Sequence, residues 1–281
     1  MEEFIMESYG KVNLALDVLY KRNDGYHEIK SIMQRISLKD RLIFKEIHEG
    51  MIIESNHKEV PVDSTNLVYK VWDKLREITG VSKGVKIIIE KNIPVAAGLA
   101  GGSSNGAATL QALNNLWNLN LSQSELMKIG KGLGADIPFC IMGGTALAEG
   151  IGEKLTKIRT LSGKHILLCN PGIPISAGYA YSKCKSLNRG IDMEAIISSI
   201  EDDDLTGVAK KLENIMEDPM IEEYPIIGEI KDIMMANGAL GSLMSGSGST
   251  VFGLYDDEEK MKFTQKKLLS ITDKVFLCKT L

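Results

Sequence analysis

From Lys11 to Val18 the chain alternates. Val12, Leu14, Leu16 and Val18 are apolar, while Lys11, Asn13, Ala15 and Asp17 fall between them. That is the period of a half-buried strand, and it puts Lys11 and Asn13 on one face. Taken by themselves, those two read as a solvated strand face. Apolar runs at Ile36–Leu38, Leu42–Lys45 and Met51–Glu54 predict further strands. Then the period lengthens. Asp63-Ser64-Thr65-Asn66 offers capping side chains. Val68, Val71, Leu75 and Ile78 then mark one helical face that stops at Gly80. Another strand is predicted over Val85–Ile89, and a helix through Leu110, Leu113 and Trp117, which are spaced by three and four. Ser122 with Glu125 forms a capping-box pattern for a helix ending near Gly132 and Gly134. Pro138 disfavours helical backbone at Ile137. Asp136 is therefore expected on an extended or turning segment, where an Asp usually serves as a cap or turn residue.

Gly143-Gly144-Thr145 and Gly150–Gly152 predict a glycine-rich strand and loop. Thr160-Leu161-Ser162-Gly163 then reads as a break. The second half restarts with a strand at His165–Cys169, followed by helices at about 205–216 and 222–236, the latter stopped by Asn237-Gly238. The acidic run Glu201–Asp204 reads as a solvated loop or a helix start. An apolar strand after Gly246 and Gly248, a helix near 257–270 and a strand at Val275–Cys278 close the chain. No stretch of roughly 20–50 residues repeats. The mixture is α/β (α+β), divided into two domains at 1–158 and 159–281.

Between the strand at 85–89 and its helix stands Pro94-Val95-Ala96-Ala97-Gly98-Leu99-Ala100-Gly101-Gly102-Ser103-Ser104. The order is strand, glycine-rich loop, helix. Gly98, Gly101 and Gly102 permit positive φ and close approach to a ligand. Ser103 and Ser104 fall where the helix should begin, so their hydroxyls can cap free N–H groups. Those N–H groups and the helix dipole suit a phosphate. The alternative is a tight loop whose glycines serve packing alone. The stretch is neither a Walker A loop nor G-x-G-x-x-G. Gly106, in the expected first turn, costs the helix about 1 kcal/mol relative to Ala.

Composition narrows the picture modestly. A chain of 281 residues favours two domains. With 44% hydrophobic and 25% charged residues it reads as a soluble globular protein. No apolar run approaches the ~18 residues of a membrane span, and the acidic start is unlike a secretory signal. Cys140, Cys169, Cys184 and Cys278 are scattered, which fits a reducing cytoplasm and argues against a zinc cluster. A net charge of −4 argues against nucleic acid as a partner but leaves room for a small polyanion. No feature specifies an oligomeric state.

Asn23-Asp24-Gly25 is a turn, and Tyr26 and His27 follow it directly. The pair is either structural or placed to stack on and hydrogen-bond a planar ligand. Tyr179 and Tyr181 follow Asn170-Pro171-Gly172 in the second half.

Three separated motifs now stand together: Lys11-Val12-Asn13-Leu14-Ala15-Leu16, the run 94–104, and Ser245-Gly246-Ser247-Gly248-Ser249-Thr250-Val251-Phe252. In that order they resemble the galactokinase, homoserine kinase, mevalonate kinase and phosphomevalonate kinase (GHMP kinase) superfamily. Gly25-Tyr26-His27, the Gly98–Ser104 form of the central loop, and Gly134-Ala135-Asp136-Ile137-Pro138-Phe139 narrow it. With these the chain resembles the 4-diphosphocytidyl-2-C-methyl-D-erythritol kinases of the non-mevalonate isoprenoid pathway. The motifs span nearly the whole chain.

The resemblance implies a two-domain kinase. Its N-terminal half would be like ribosomal protein S5 domain 2 and its C-terminal half ferredoxin-like. It implies ATP as phosphoryl donor, with Mg2+, and residues 94–104 on the ATP phosphates. It makes Asp136 the base for the substrate hydroxyl, with Lys11 beside it; a neighbouring ammonium keeps a carboxylate ionised. Asn13 would orient the substrate, and Tyr26, His27 and Tyr181 would recognise cytosine. Ser104 is the one candidate metal ligand. The competing readings are another small-molecule kinase of the superfamily, which needs no cytosine site, and a non-catalytic nucleotide-binding module, against which Lys11 and Asp136 both speak.

Overall fold

The computed structural model describes residues 3–184 and 187–281. They form two compact units that interleave in sequence. The first takes the residues up to Gly10, Leu38–Val95 and Ala100–Met142; the second takes Lys11–Ser37, Ala96–Leu99 and Gly143–Leu281. Two long strands, β1 (Phe4–Lys21) and β2 (His27–Ile47), contribute to both. The apolar runs at 36–38 and 42–45, expected as separate strands, lie within β2.

In the first unit the end of β2 pairs antiparallel with β4 (Gly84–Glu90), and β3 (Met51–Ser55) lies parallel to β4. Alternate residues Val85, Ile87 and Ile89 share a core with Leu42 and Phe44 of β2. Helices α1 (Leu67–Thr79), α2 (Gly101–Leu116), α3 (Gln123–Lys131) and α4 (Ile137–Met142) cover that face through Val71, Leu75, Leu110, Leu113 and Ile137. Each such side chain stabilises the fold by about 1.5–3 kcal/mol on burial. Asn66 caps α1 by accepting from the Val68 N–H at 2.9 Å. The capping box of Ser122 and Glu125 is present on α3. Ile78 departs from its expected face and is 50% exposed.

Pro138 does not keep Ile137 out of a helix. It stands second in α4, where a missing N–H leaves no bond unmade. Ile137 is fully buried on bare glycine surface: a Cβ on Gly130 would come within 2.5 Å of it and one on Gly106 within 3.3 Å. Gly106 thus weakens α2 locally but makes room for Ile137. Asp136 occupies the turn into α4, as expected, and its carbonyl accepts from the Cys140 N–H at 3.0 Å.

In the second unit β2 pairs antiparallel with β5 (Thr145–Gly150), and β5 with β6 (Lys154–Lys157). β1 pairs parallel with the two-residue β8 (Glu213–Asn214). A separate sheet holds β7 (His165–Cys169), β9 (Gly241–Met244), β10 (Val251–Tyr255) and β11 (Val275–Lys279), in the order β11-β7-β10-β9, all antiparallel. Helices α5 (Ala177–Lys183), α6 (Met193–Glu201), α7 (Leu205–Lys210), α8 (Glu217–Glu223) and α9 (Ile226–Ala236) fall between β7 and β9, and α10 (Glu258–Leu268) between β10 and β11. Strand order 4-1-3-2 with these crossovers is the ferredoxin-like arrangement. Ile227, Ile230 and Met234 of α9 and Met261 and Leu268 of α10 pack on Leu167, Val251 and Tyr255 of that sheet.

The helices expected at 205–216 and 222–236 are shorter. Glu213–Asn214 is drawn into β8, and Pro225 forces Tyr224 out of helical geometry, to φ −128° and ψ 78°. Asp204, in the acidic run, caps α7 by accepting from the Gly207 N–H at 2.9 Å.

Candidate active site

The loop between β4 and α2 takes positive φ at three alternate residues: Ala96 at 50°, Gly98 at 75° and Ala100 at 55°. Only one is a glycine. A left-handed alanine costs roughly 1–2 kcal/mol, and such strain persists where the surroundings impose it, often at ligand sites. Gly101 and Gly102, expected to bend the loop, already belong to α2. The bareness of Gly101 has another cause. A Cβ on Gly101 would lie 2.7 Å from the Lys91 ammonium and 3.0 Å from Ile93. Gly102 is exposed, and its nearest neighbour would be Leu67 at 4.0 Å. Gly98 needs both freedoms, because a Cβ there would stand 2.0 Å from the Ser245 carbonyl oxygen. Pro94 and Val95 enter the loop, and Ala97 and Leu99 are buried.

No side chain caps α2, whose N-cap is Ala100. The expectation that Ser103 or Ser104 would cap it is corrected: the helix begins two residues before Ser103. Ser104 is buried, accepts from Ser8 Oγ at 2.8 Å and donates to the Tyr9 carbonyl at 2.6 Å. The leading N–H groups of α2 thus face forward without a protein side-chain acceptor, as an anion requires.

Beneath that terminus lies a buried network. Asn105 Nδ2 donates to Ser8 Oγ at 2.9 Å and to Asp40 Oδ2 at 2.8 Å. The fully buried Asp40 carboxylate also accepts from the backbone N–H groups of Asn92 and Ile93, at 2.7 and 2.8 Å, and pairs with the Lys91 ammonium. Burial pulls the Lys91 pKa below its ordinary value, against the opposing pull of Asp40. Such a pair stabilises chiefly by satisfying every polar atom, since desolvation offsets much of the Coulomb attraction.

In the second unit Lys11 and Asn13 are not a solvated face. They are 5% and 2% exposed, because both faces of β1 are covered there. The Lys11 ammonium donates to Asn13 Oδ1 at 2.7 Å and to the Gly98 carbonyl at 3.2 Å; its backbone N–H donates to the Leu99 carbonyl at 3.1 Å. Asn13 Nδ2 donates to Ser31 Oγ at 2.8 Å. Ser245 Oγ donates to the Gly98 carbonyl at 3.0 Å. A Cβ on Gly246 would meet Gly98 O at 3.2 Å and Asn13 Oδ1 at 3.3 Å. Three motifs far apart in sequence converge on one carbonyl oxygen.

The same unit brings His27 against Tyr181, rings stacked with centroids 4.6 Å apart. Burial, and secondarily the Lys21 charge, hold the His27 pKa below its ordinary value. Tyr26 is 59% exposed. Asp136 is half-buried in the first unit. Sequence reasoning did not single out Ser245 as a partner of Gly98; the glycine-serine stretch around it was the available signal. It missed Asp40 and Lys91, which carry no motif.

Among the described residues no cluster of three or more His, Cys, Asp or Glu side chains is placed to hold a metal ion. Mg2+ carried on nucleotide phosphates asks for only one or two protein oxygens. The Ser104 hydroxyl, with its proton given to Tyr9 and one lone pair to Ser8, keeps a second lone pair. Among the described residues no helix is long and apolar enough to cross a membrane.

The chain matches the model of the GHMP kinases N terminal domain over residues 66–144 and that of GHMP kinases C terminal over residues 196–271. It is 43% identical over 277 residues to the 4-diphosphocytidyl-2-C-methyl-D-erythritol kinase of Caldicellulosiruptor bescii, covering 95% of this chain and 97% of that one. It is 44% identical to the protein of the same name from Clostridioides difficile, covering 99% and 95%. A crystal structure of 4-(cytidine 5'-diphospho)-2C-methyl-D-erythritol kinase superposes with a TM-score of 0.85 at 30% identity, over 99% of both chains. The strained loop between β4 and α2, the buried Lys11 and the ferredoxin-like sheet thus occur in a chain that belongs to the 4-diphosphocytidyl-2-C-methyl-D-erythritol kinase family of GHMP kinases.

Proposed function

We propose that this protein transfers the γ-phosphoryl group of ATP to the 2-hydroxyl of 4-diphosphocytidyl-2-C-methyl-D-erythritol. Full-length similarity to kinases of that name supports the substrate. The observation that carries the chemistry is the convergence of Lys11 and Ser245 on the Gly98 carbonyl, with Asn13 accepting from the same Lys11 ammonium. A buried ammonium tied to a glycine-rich loop is what phosphoryl transfer asks for, since catalysis there is mainly positioning and charge neutralisation.

In this reading residues 94–104 hold the ATP phosphates, with the uncapped N–H groups of α2 as donors. Mg2+ bound to the nucleotide would neutralise phosphate oxygens, with Ser104 as the candidate protein oxygen. Asp136 accepts the proton of the attacking hydroxyl. Lys11 stabilises negative charge at the reacting oxygens, and Asn13 orients the substrate. His27 and Tyr181 offer a flat aromatic surface and polar ring edges to cytosine, with Tyr26 as a third contact. Residues 1–158 form the ATP-binding domain and 159–281 the second domain. The setting is the cytoplasm, where ATP and a nucleotide-linked substrate are both present.

The test is substrate-dependent release of ADP. ADP should form with the cytidine substrate and not with homoserine, mevalonate or water alone. Equal turnover with mevalonate or homoserine would transfer the assignment to another GHMP kinase; no turnover with any acceptor would favour a binding module.

A further inference from the structure

Asn214 lies outside every motif above. It sits in β8, pairs in register with Leu16 of β1, and is 2% exposed. Its Nδ2 donates to two carbonyls, Met244 and Gly246, each at 2.8 Å, while its Oδ1 accepts from the Met216 N–H at 3.0 Å. The two carbonyls flank Ser245. Glu217 adds a third hold by accepting from the Met244 N–H at 2.7 Å, and it is itself paired with Lys231. Within the loop the Ser245 N–H donates to Thr250 O and the Ser245 carbonyl accepts from the Gly248 N–H, both at 2.9 Å. The backbone around Ser245 is held on both sides, which sets the point from which its hydroxyl takes its direction. That direction is the Gly98 carbonyl, which also takes the Lys11 ammonium.

We infer that Asn214 is a positioning residue for the phosphoryl-transfer site, acting through Ser245 and Gly98 on Lys11. It touches no reacting atom. Its amide is the only kind of group that serves here: two N–H donors grip two carbonyls while one oxygen accepts. An aspartate of the same shape would put one carboxylate oxygen, in place of Nδ2, against both carbonyls. The loop would move away from Asn214, and Ser245 would lose its aim at Gly98. The inference rests on Lys11 being part of the machinery.

The experiment is steady-state kinetics on Asn214→Asp, Ser245→Ala, their double variant and Lys11→Met, each checked for folding by circular dichroism. Loss of one positioning hydrogen bond should lower kcat about tenfold in Asn214→Asp and in Ser245→Ala. KM for either substrate should stay within about twofold, because the loss is felt in the transition state. The double variant should be no slower than the slower single one, since both cut the same chain of contacts. Should Asn214→Asp fail to fold, Ser245→Ala alone decides: it removes one hydroxyl and leaves the backbone intact. Unchanged kcat in folded Ser245→Ala, or losses that multiply in the double variant, would overturn the inference. If Lys11→Met keeps its kcat, the catalytic reading of Lys11 fails instead; if Lys11→Met loses kcat while the other two keep theirs, only the role of Asn214 falls.

Discussion

His27 lies flat on Tyr181, with ring planes 1° apart and centroids 4.6 Å apart. One ring opens β2 and the other sits in α5, so the contact is a tertiary one. A stacked aromatic pair is worth about 0.5–1.5 kcal/mol beyond its buried area.

His27→Ala should therefore weaken the cytidine substrate and leave ATP nearly untouched. The loss of one ring face and one hydrogen bond corresponds to about 1–3 kcal/mol, or roughly 5- to 150-fold in affinity. Calorimetric titration with each ligand measures it. Equal weakening of both ligands, or of neither, would make the stacked pair a structural feature only.

Acidity should act through the same ring. Burial, first, and then Lys21 hold the His27 pKa below 6.5. The unfolded chain therefore takes up this proton at a higher pH than the folded chain. Stability from this group is complete above about 6.5 and is lost as pH falls through the lowered folded value. If neutral imidazole contacts cytosine, KM for the cytidine substrate should rise over that window below 6.5. His27→Gln should flatten the rise. A rise centred above 6.5, or one that persists in His27→Gln, would remove His27 from substrate recognition.

Gly101 and Gly102 should respond in opposite ways. A Cβ on Gly101 meets the Lys91 ammonium and Ile93, so Gly101→Ala should lower the melting temperature. A Cβ on Gly102 meets only Leu67 at 4.0 Å. Gly102→Ala should stabilise α2 by about 0.4–1 kcal/mol yet weaken ATP binding, if the phosphates lie where proposed and the methyl takes their space. Thermal melts and titration with an ATP analogue separate the two. Full ATP affinity in a stabilised Gly102→Ala protein would move the phosphates elsewhere.

Much of the fold was legible because local signals and tertiary demands agree. The capping of α1 by Asn66, the box at Ser122 and the alternation in β4 are short-range physics. The misreadings came where distant packing overrides a local preference. Lys11 and Asn13 look solvated in a strand of alternating character, but β1 is covered on both faces. Pro138 looks helix-breaking, but glycines at 106 and 130 let Ile137 start α4. Gly101 looks like a loop glycine chosen for positive φ, but it lies in α2 and is bare because a buried lysine lies under it. The Asp40–Lys91–Asn105 network was invisible because its members share no spacing; only the fold makes them neighbours.

The proposed division of labour in the chemical step rests most heavily on Asp136. Asp136→Asn keeps the shape of the side chain in the turn before α4 and removes its capacity to take a proton. The decisive measurement is kcat of folded Asp136→Asn with both substrates saturating, alongside titrations of each ligand. If Asp136 is the base, kcat should fall by about 10²–10⁴, with affinities for ATP and the cytidine substrate little changed. Retention of most of the kcat would contradict it and leave Asp136 a turn residue, with phosphoryl transfer resting on positioning and charge neutralisation alone.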